Sequence, residues 1–565
     1  QAGVSVMVQN FWQQFPKELA VQDRQLTVYL HPPRSSLPQP DLHYPPLDPV
    51  SKRYVRPNTF YAPREGMAKT YRMLFSFHKG NGAKPGTDAV NTVFQHPPLL
   101  TAPAEWYGKS GAFGDLLPAG PWSRGYEKHL MEDMVVPSIE NKKESGGLAV
   151  MYGWRDFGDR MRPGWASVSP GGVRIPGFYN DTHVGAARFF TEFLRTRDRR
   201  WWNLGEVATR HFMDIDVSHT HRLGYWRDRR TARRPSVSFG PGEAHVISHE
   251  MVDHASRSLH GGHAHLSGLP DYYLLTGDRR ALEVLREVGD WWVNAAPVLF
   301  PTPVEKPHLA EAERDFGWPL FVLNEAFRAT GDIRYLRGSA QIVKHLIEWW
   351  QTPSDHWVNG KVVGRNDSAQ GTGWWHMFPR QDNSPFPSKW MLGQLLYNGT
   401  NPWMAGSLLS AVATFYRLNQ DFNVADNGLV KDMYLQTVNY VVKWGWKEQS
   451  PKECRPPQTR YFIYSEAVPC VNGGKNQLLF PLAFAWTLYQ EGGHAHPEWY
   501  DTVPQWLEIV KATFEDWKEV KYRDDGTVST GFYGYEMVFP PDFWAIAHRL
   551  QGRSSHSTVG VTKKP

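Results

Sequence analysis

One short punctuation recurs in this chain and limits what it can fold into. Phe190-Thr191-Glu192-Phe193-Leu194-Arg195-Thr196-Arg197-Asp198 runs into Arg199-Arg200-Trp201-Trp202. Tyr272-Tyr273-Leu274-Leu275-Thr276-Gly277-Asp278 runs into Arg279-Arg280-Ala281-Leu282, and Ala326-Phe327-Arg328-Ala329-Thr330-Gly331-Asp332 into Ile333-Arg334-Tyr335-Leu336. Phe415 to Asp421 is a weaker copy, and Leu488 to Gly493 a degraded one. In each, an apolar helix ends at a residue suited to a left-handed cap, and an Asp then caps the next helix. The second helix is amphipathic, as in Ala281 to Val293 or Tyr335 to Trp350. The first is apolar nearly all round, which makes it the inner member of the pair. Inner–outer hairpins repeated in this way close into a ring of five to six pairs, with an open solenoid as the alternative.

At 565 residues the chain exceeds one ordinary core. Residues 1–115 read as β: Val4-Ser5-Val6-Met7-Val8, Leu26-Thr27-Val28-Tyr29-Leu30 and Tyr71 to Phe77 are β-branched or alternating, with Pro-rich breaks between them. The expected fold class is α+β. A β-sandwich-like domain at 1–115 precedes an (α/α) toroid at 116–520, and a β-hairpin with a polar tail fills 521–565. A net charge of +5 is too weak for nucleic acid. No apolar run reaches the roughly 20 residues of a membrane span. The first residues lack the charged and apolar regions of a signal peptide. Cys454 and Cys470 bracket a loop-like stretch, and a disulfide between them suits a secreted or periplasmic protein.

The short turns mark the structural end of the ring. Long segments (144–180, 215–262, 294–315, 352–400 and 447–476) lead instead into the N-termini of the inner helices, whose free N–H groups favour anions. Function is expected there. Nine of the 23 histidines fall between His211 and His265, among them His249 and His263. Imidazole serves as base, acid, metal ligand or hydrogen-bond donor. His219-Thr220-His221 with Asp214 or Asp216 offers a zinc or calcium set, although its spacing matches no strong signature. The Arg-rich stretch from Arg222 to Arg234 reads as a solvated face or as an entrance for polyanions. Trp374, His376 and Arg380, and Tyr461 with Tyr464, are candidate substrate contacts, and 25 Trp, 24 Tyr and 29 Phe supply either core or sugar platforms.

Tyr152-Gly153-Trp154-Arg155-Asp156-Phe157-Gly158-Asp159, Tyr179-Asn180-Asp181, and His263-x-His265-x-x-Gly268-Leu269 leading into Tyr272 to Asp278 resemble the exo-rhamnogalacturonan lyase (YetA-like) family. Asn10 to Lys17 and Arg64 to Thr70 are similar to the end of that family's central β-sandwich. The resemblance spans residue 1 to about 420, and position 265 departs from it, being His where the family has Trp. It implies β-elimination at a uronic acid: a cation or helix N-terminus neutralises the carboxylate, a base takes the C5 proton and an acid protonates O4. Placed on the ring, His249 or His263 is the candidate base and Tyr179 or Tyr225 the acid. Arg155, Asn180 and Arg314 are candidates to hold the carboxylate, with Asp181, His265, Trp374, His376 and Arg380 as further contacts. No cofactor is required, though calcium or zinc is an option. The partner is an acidic polysaccharide or oligosaccharide. A glycoside hydrolase using Asp181 with Asp253 or Glu466 is one alternative, and a non-catalytic glycan-binding protein is the other.

Overall fold

The structure, a computed structural model, describes residues 2–32, 68–79, 86–114, 116–121, 123–128, 152–154, 157–159, 161–168, 174–178, 185–217, 219, 266, 268–303, 313–358, 361–372, 397–398, 401–455, 457–465, 468–472 and 475–518. Strand β1 (Ala2–Val8) pairs antiparallel with β4 (Met73–Lys79), and β2 (Glu18–Gln22) with β3 (Gln25–Tyr29). The three strand expectations fall on β1, β3 and β4. They form two separate two-stranded sheets rather than a sandwich among the described residues. Helices α1 (Thr87–Gln95) and α2 (Ala104–Ser110) occupy the rest of the described part of 86–115. Tyr107 of α2, with Phe113 and Leu116, is buried in the common core, so this stretch folds onto the helices. Two-stranded sheets bury little by themselves, and Leu19, Val21, Phe75 and Phe77 of these strands are exposed.

Among the described residues, a short α3 (Arg124–Lys128) precedes five helix hairpins. These are α4 (Gly185–Thr196) with α5 (Arg199–His211), α6 (Leu269–Thr276) with α7 (Arg279–Leu299), α8 (Arg314–Thr330) with α9 (Ile333–Gln351), α10 (Pro402–Phe422) with α11 (Asn427–Gly445), and α12 (Leu479–Gln490) with α13 (Val503–Lys518). The first member of each pair touches the first member of the next, from α4 through to α12. Helix α3 touches α13, and Glu127 of α3 lies 2.7 Å from Arg195 of α4. The last hairpin and the first are therefore joined through α3, which selects a ring over an open solenoid.

The turns behave as the punctuation requires. Gly277 (φ 67°), Gly331 (φ 69°) and Asn423 (φ 48°) are left-handed caps. The side chains of Asp198, Asp278, Asp332 and Asp426 accept from the first backbone N–H groups of α5, α7, α9 and α11. The threonine has its own part. Thr196, Thr276 and Thr330 each donate to the carbonyl four residues back at 2.6 Å, and their hydroxyls accept from the N–H of Asp198, Asp278 and Asp332 at 3.1–3.2 Å. Three of the four turns thus close one helix and cap the next through a single Thr-x-Asp unit. Between Gln490 and Val503 the fifth connection is longer and lacks it.

Where inner helices cross, glycine sets the spacing. A Cβ on Gly317 would lie 2.8 Å from the Leu408 Cα, and one on Gly406 2.7 Å from the Gln477 carbonyl oxygen. Asn324, fully buried, donates to the Ala411 carbonyl at 2.9 Å and accepts from Ser339 at 2.9 Å, tying α8 to α10 and α9. Trp201, Trp202, Trp291, Trp292, Trp349 and Trp350 on the outer helices are buried, so much of the aromatic excess is core and not sugar platform. No helix among the described residues is long and apolar enough to cross a membrane. The hairpin and tail expected at 521–565 lie outside the described residues.

Candidate active site

Inner helices begin, and outer helices end, at one end of the ring, opposite the Thr-x-Asp turns. The connections there are more regular than the sequence implies. An antiparallel pair, β5 (Met161–Val168) with β6 (Arg174–Phe178), precedes α4. β7 (Ser354–Val358) pairs with both β8 (Lys361–Asn366) and β9 (Tyr397–Asn398) between α9 and α10. β10 (Trp446–Gln449), β11 (Thr459–Ser465) and β12 (Val468–Asn472) form a sheet between α11 and α12. The expected disulfide pins this last sheet: Cys454 and Cys470 are bonded, with a Cα–Cα distance of 5.2 Å. Tyr461, read from sequence as a substrate contact, is instead a strut within it. It is buried, and its hydroxyl donates to the Pro469 carbonyl at 2.6 Å.

At the start of α8, Glu313, Arg314 and Asp315 face the start of α10. Asn401 caps α10, its side-chain oxygen accepting from the N–H of Trp403 (3.1 Å) and Met404 (3.3 Å). Its own N–H donates to Glu313 Oε1 at 3.0 Å. Asp315 lies inside the first turn of α8, where its side chain is buried. Glu313 is buried, and its Oε2 has no hydrogen-bond partner among the described residues. Desolvation raises its carboxyl to about 8; the nearby Asp315 adds to this, while the backbone N–H bonds and Arg314 oppose it. Glu313 therefore holds a proton at neutral pH. Arg314 is partly exposed. Its guanidinium carbon sits 5.7 Å from the centroid of the partly exposed Trp403 ring, and its buried Nε has no hydrogen-bond partner among the described residues. A cation stacked on an indole with an N–H to spare suits a carboxylate borne on a flat apolar ring.

The π-helical turn Phe212–Asp216 that ends α5 forms a second polar cluster at the same end. π turns of this kind often accompany function. His211, buried, has Nε2 3.7 Å from Asp159 Oδ2 and 3.6 Å from Asp216 Oδ1. Asp214 accepts from the Thr70 N–H and hydroxyl, both at 3.0 Å, and lies 3.6 Å from Lys69 Nζ. Described parts of three of the segments quoted above, around Gln13, Ala68 and Gly153, come together nearby. Gly153 N–H donates to the Gln13 carbonyl (2.7 Å), Trp154 N–H to that of Phe15 (2.8 Å), and Ala68 N–H to that of Asp214 (2.9 Å).

Of the metal set suggested from sequence, His221 lies outside the described residues, and the other side chains are engaged elsewhere. His219 Nδ1 is 2.6 Å from Glu287 Oε2 and its Nε2 is 2.7 Å from the Met213 carbonyl, while Asp214 and Asp216 face Thr70 and His211. Among the described residues no three such side chains converge. Of the candidates named from sequence, Arg314 is the first residue of α8. His249, His263, Tyr179, Tyr225, Arg155, Asn180, Asp181, His265, Trp374, His376 and Arg380 lie outside the described residues, as do Asp253, Glu466 and the Arg-rich stretch. Sequence reasoning passed over Glu313. Its signal was a carboxylate set directly before a helix apolar on all sides, a position that burial must desolvate.

No protein-family model matches the chain, and no curated protein matches it. Among solved structures, the chain is similar to a polysaccharide lyase at 11% identity and TM-score 0.37, covering 67% of this chain and 92% of that one. It is similar to a cellobiose 2-epimerase from Spirochaeta thermophila at 12% identity and TM-score 0.39, covering 66% and 87%. A glycosyl hydrolase of family 88 from Bacteroides vulgatus is similar at 9% identity and TM-score 0.36, covering 66% and 91%.

Proposed function

We propose that this chain is an exported, carbohydrate-active enzyme that cleaves a uronate-containing, rhamnogalacturonan-like polysaccharide by β-elimination and leaves an unsaturated uronate. The observation that carries this is the Arg314–Trp403 pair at the inner-helix N-termini. The guanidinium neutralises the C6 carboxylate and acidifies the C5 proton, and the indole takes the sugar's C–H face. The C5–H electron pair then forms the C4=C5 double bond as the C4–O4 bond breaks, and an acid protonates O4. No metal is needed when a cation of the protein performs the first task. The Cys454–Cys470 disulfide supports an oxidising compartment.

Digestion of a panel of acidic polysaccharides, followed at the absorbance of an enoyl uronate, tests the reaction. New absorbance supports the lyase. Reducing ends without it would sink the lyase and favour a hydrolase, and saturable binding with neither signal would leave a glycan-binding protein. Arg314→Ala is expected to lower kcat/KM at least ~100-fold on the active polymer, the scale of losing one electrostatic stabiliser. Unchanged kinetics would remove Arg314 from the site.

A further inference from the structure

We propose that a basic cleft at the turn end of the ring is a second carbohydrate site, which holds an acidic stretch of a long polysaccharide away from the Arg314–Trp403 pair. The choice of ligand rests on the acidic-polysaccharide reading above. The first Thr-x-Asp turn departs from the others at its middle residue. Arg197 (φ 60°) stands there, where the second and third turns have Gly277 and Gly331. A side chain in that left-handed conformation costs stability, and residues strained in this way cluster where ligands are held. Arg197 is exposed and lines an open cleft of about 870 Å³. That volume falls within the roughly 300–1,000 Å³ of ligand clefts. The cleft lies between the start of α2, residues 118–121, α3 and the turn from α4 to α5.

Among the described residues, five basic side chains line the cleft against three carboxylates. Two of those carboxylates are engaged: Glu127 lies 2.7 Å from Arg195, and Asp198 lies 2.6 Å from Arg200. Glu105 is left to offset Arg124, Lys128 and Arg197, all of them exposed. Neither Arg124 nor Arg197 has an ion-pair partner among the described residues. A guanidinium takes a planar carboxylate through two parallel hydrogen bonds, so two of them in one cleft suit a chain that carries repeated uronates. Pro103, Pro118 and Pro121 add rigid apolar surface for the C–H faces of the sugars. The Arg195–Glu127 pair fixes α3 against α4, which preforms the cleft and lowers the ordering cost of binding. The 12 residues of α4 set the two ends of the ring roughly 18 Å apart. The cleft is therefore a site of its own, and it tethers a polymer without taking part in its cleavage.

The test reads binding rather than turnover. The full chain is run through native gels that contain rhamnogalacturonan, with neutral galactan as the control, and the Arg314→Ala background weakens the first site. Retardation by the acidic polymer should survive Arg314→Ala. Adding Arg124→Gln and Arg197→Gly should then weaken the affinity at least ~10-fold, the scale of losing two charge-assisted contacts. Arg197→Gly alone should bind more weakly yet melt at or above its parent, an opposition that a merely structural residue would not give. Arg124→Gln alone carries the test should the turn variant fail to fold. Affinity unchanged in the double variant overturns the site, as does retardation that vanishes with Arg314→Ala. Duplex DNA held as tightly as the acidic polymer overturns it too, because the cleft would then be an unspecific polyanion surface. Enoyl product from the wild type, with binding unchanged in the variants, sinks the cleft alone. Binding lost in the variants, with no enoyl product from the wild type on any acidic polymer, sinks the elimination and leaves the cleft standing.

Discussion

At pH 7 the carboxyl of Glu313 keeps its proton because water is excluded from it, and the backbone N–H bonds it receives, that of Asn401 among them, do not offset that loss. That arrangement has a pH signature. The folded value, about 8, stands above the ordinary 4.5, so the folded chain binds the extra proton between them. The stability contributed by this group is complete below the lower value and is lost as pH rises through the upper one. Glu313→Gln keeps the shape and removes the ionisation. It should melt close to wild type at pH 5 and above it at pH 9, measured by thermal denaturation across that range. A variant that melts below wild type at pH 9 would show that Glu313 is ionised and paired. Lys17 acts in the opposite sense: burial and the charge of Lys69 bring its amine down to about 7, and it adds stability as pH rises above that value.

At the scale of elements, the Thr-x-Asp unit explains why the hairpins form with so little variation. Each threonine hydroxyl links a carbonyl in the last turn of one helix to the N–H of the aspartate, and each aspartate accepts from orphan N–H groups at the start of the next. Asp332→Ala should cost about 1 kcal/mol by chemical denaturation, the usual worth of such a cap. In the first turn Arg197 holds the left-handed position (φ 60°) that Gly277 and Gly331 hold in theirs. Arg197→Gly should therefore stabilise the chain, by up to ~1 kcal/mol. A loss instead would mean that the Arg197 side chain makes a contact worth more than its backbone strain.

For the whole molecule, the joint between the first and last hairpins is the decisive packing. Arg195 is buried, 2.8 Å from Glu192 and 2.7 Å from Glu127 of α3, which itself packs on α13. Arg195→Ala leaves Glu192 buried without that charge and should cost roughly 3–5 kcal/mol. The loss should appear as a lower denaturation midpoint. The disulfide in the connection between α11 and α12 closes a separation of 16 residues, and Cys454→Ser with Cys470→Ser should cost about 3 kcal/mol on loop-entropy grounds.

Helix pairs, their order, the inner and outer roles and the caps were legible along the chain, because they depend on a 3.6-residue period and on bonds spanning two to four residues. So was the end of the ring that carries polar residues, and Arg314 within it. The pairing of the N-terminal β-segments was not legible, since short β-rich segments look alike whether they pair in twos, as they do among the described residues, or stack in layers. The partners of Glu313, Lys17 and His211 were also out of reach. Glu313 meets Asn401 across 88 residues, and the proton affinity of each group depends on how much water the fold removes. Local sequence determines which elements form. Burial and long-range contact decide which side chains become chemically unusual, and both exist only once the ring has closed.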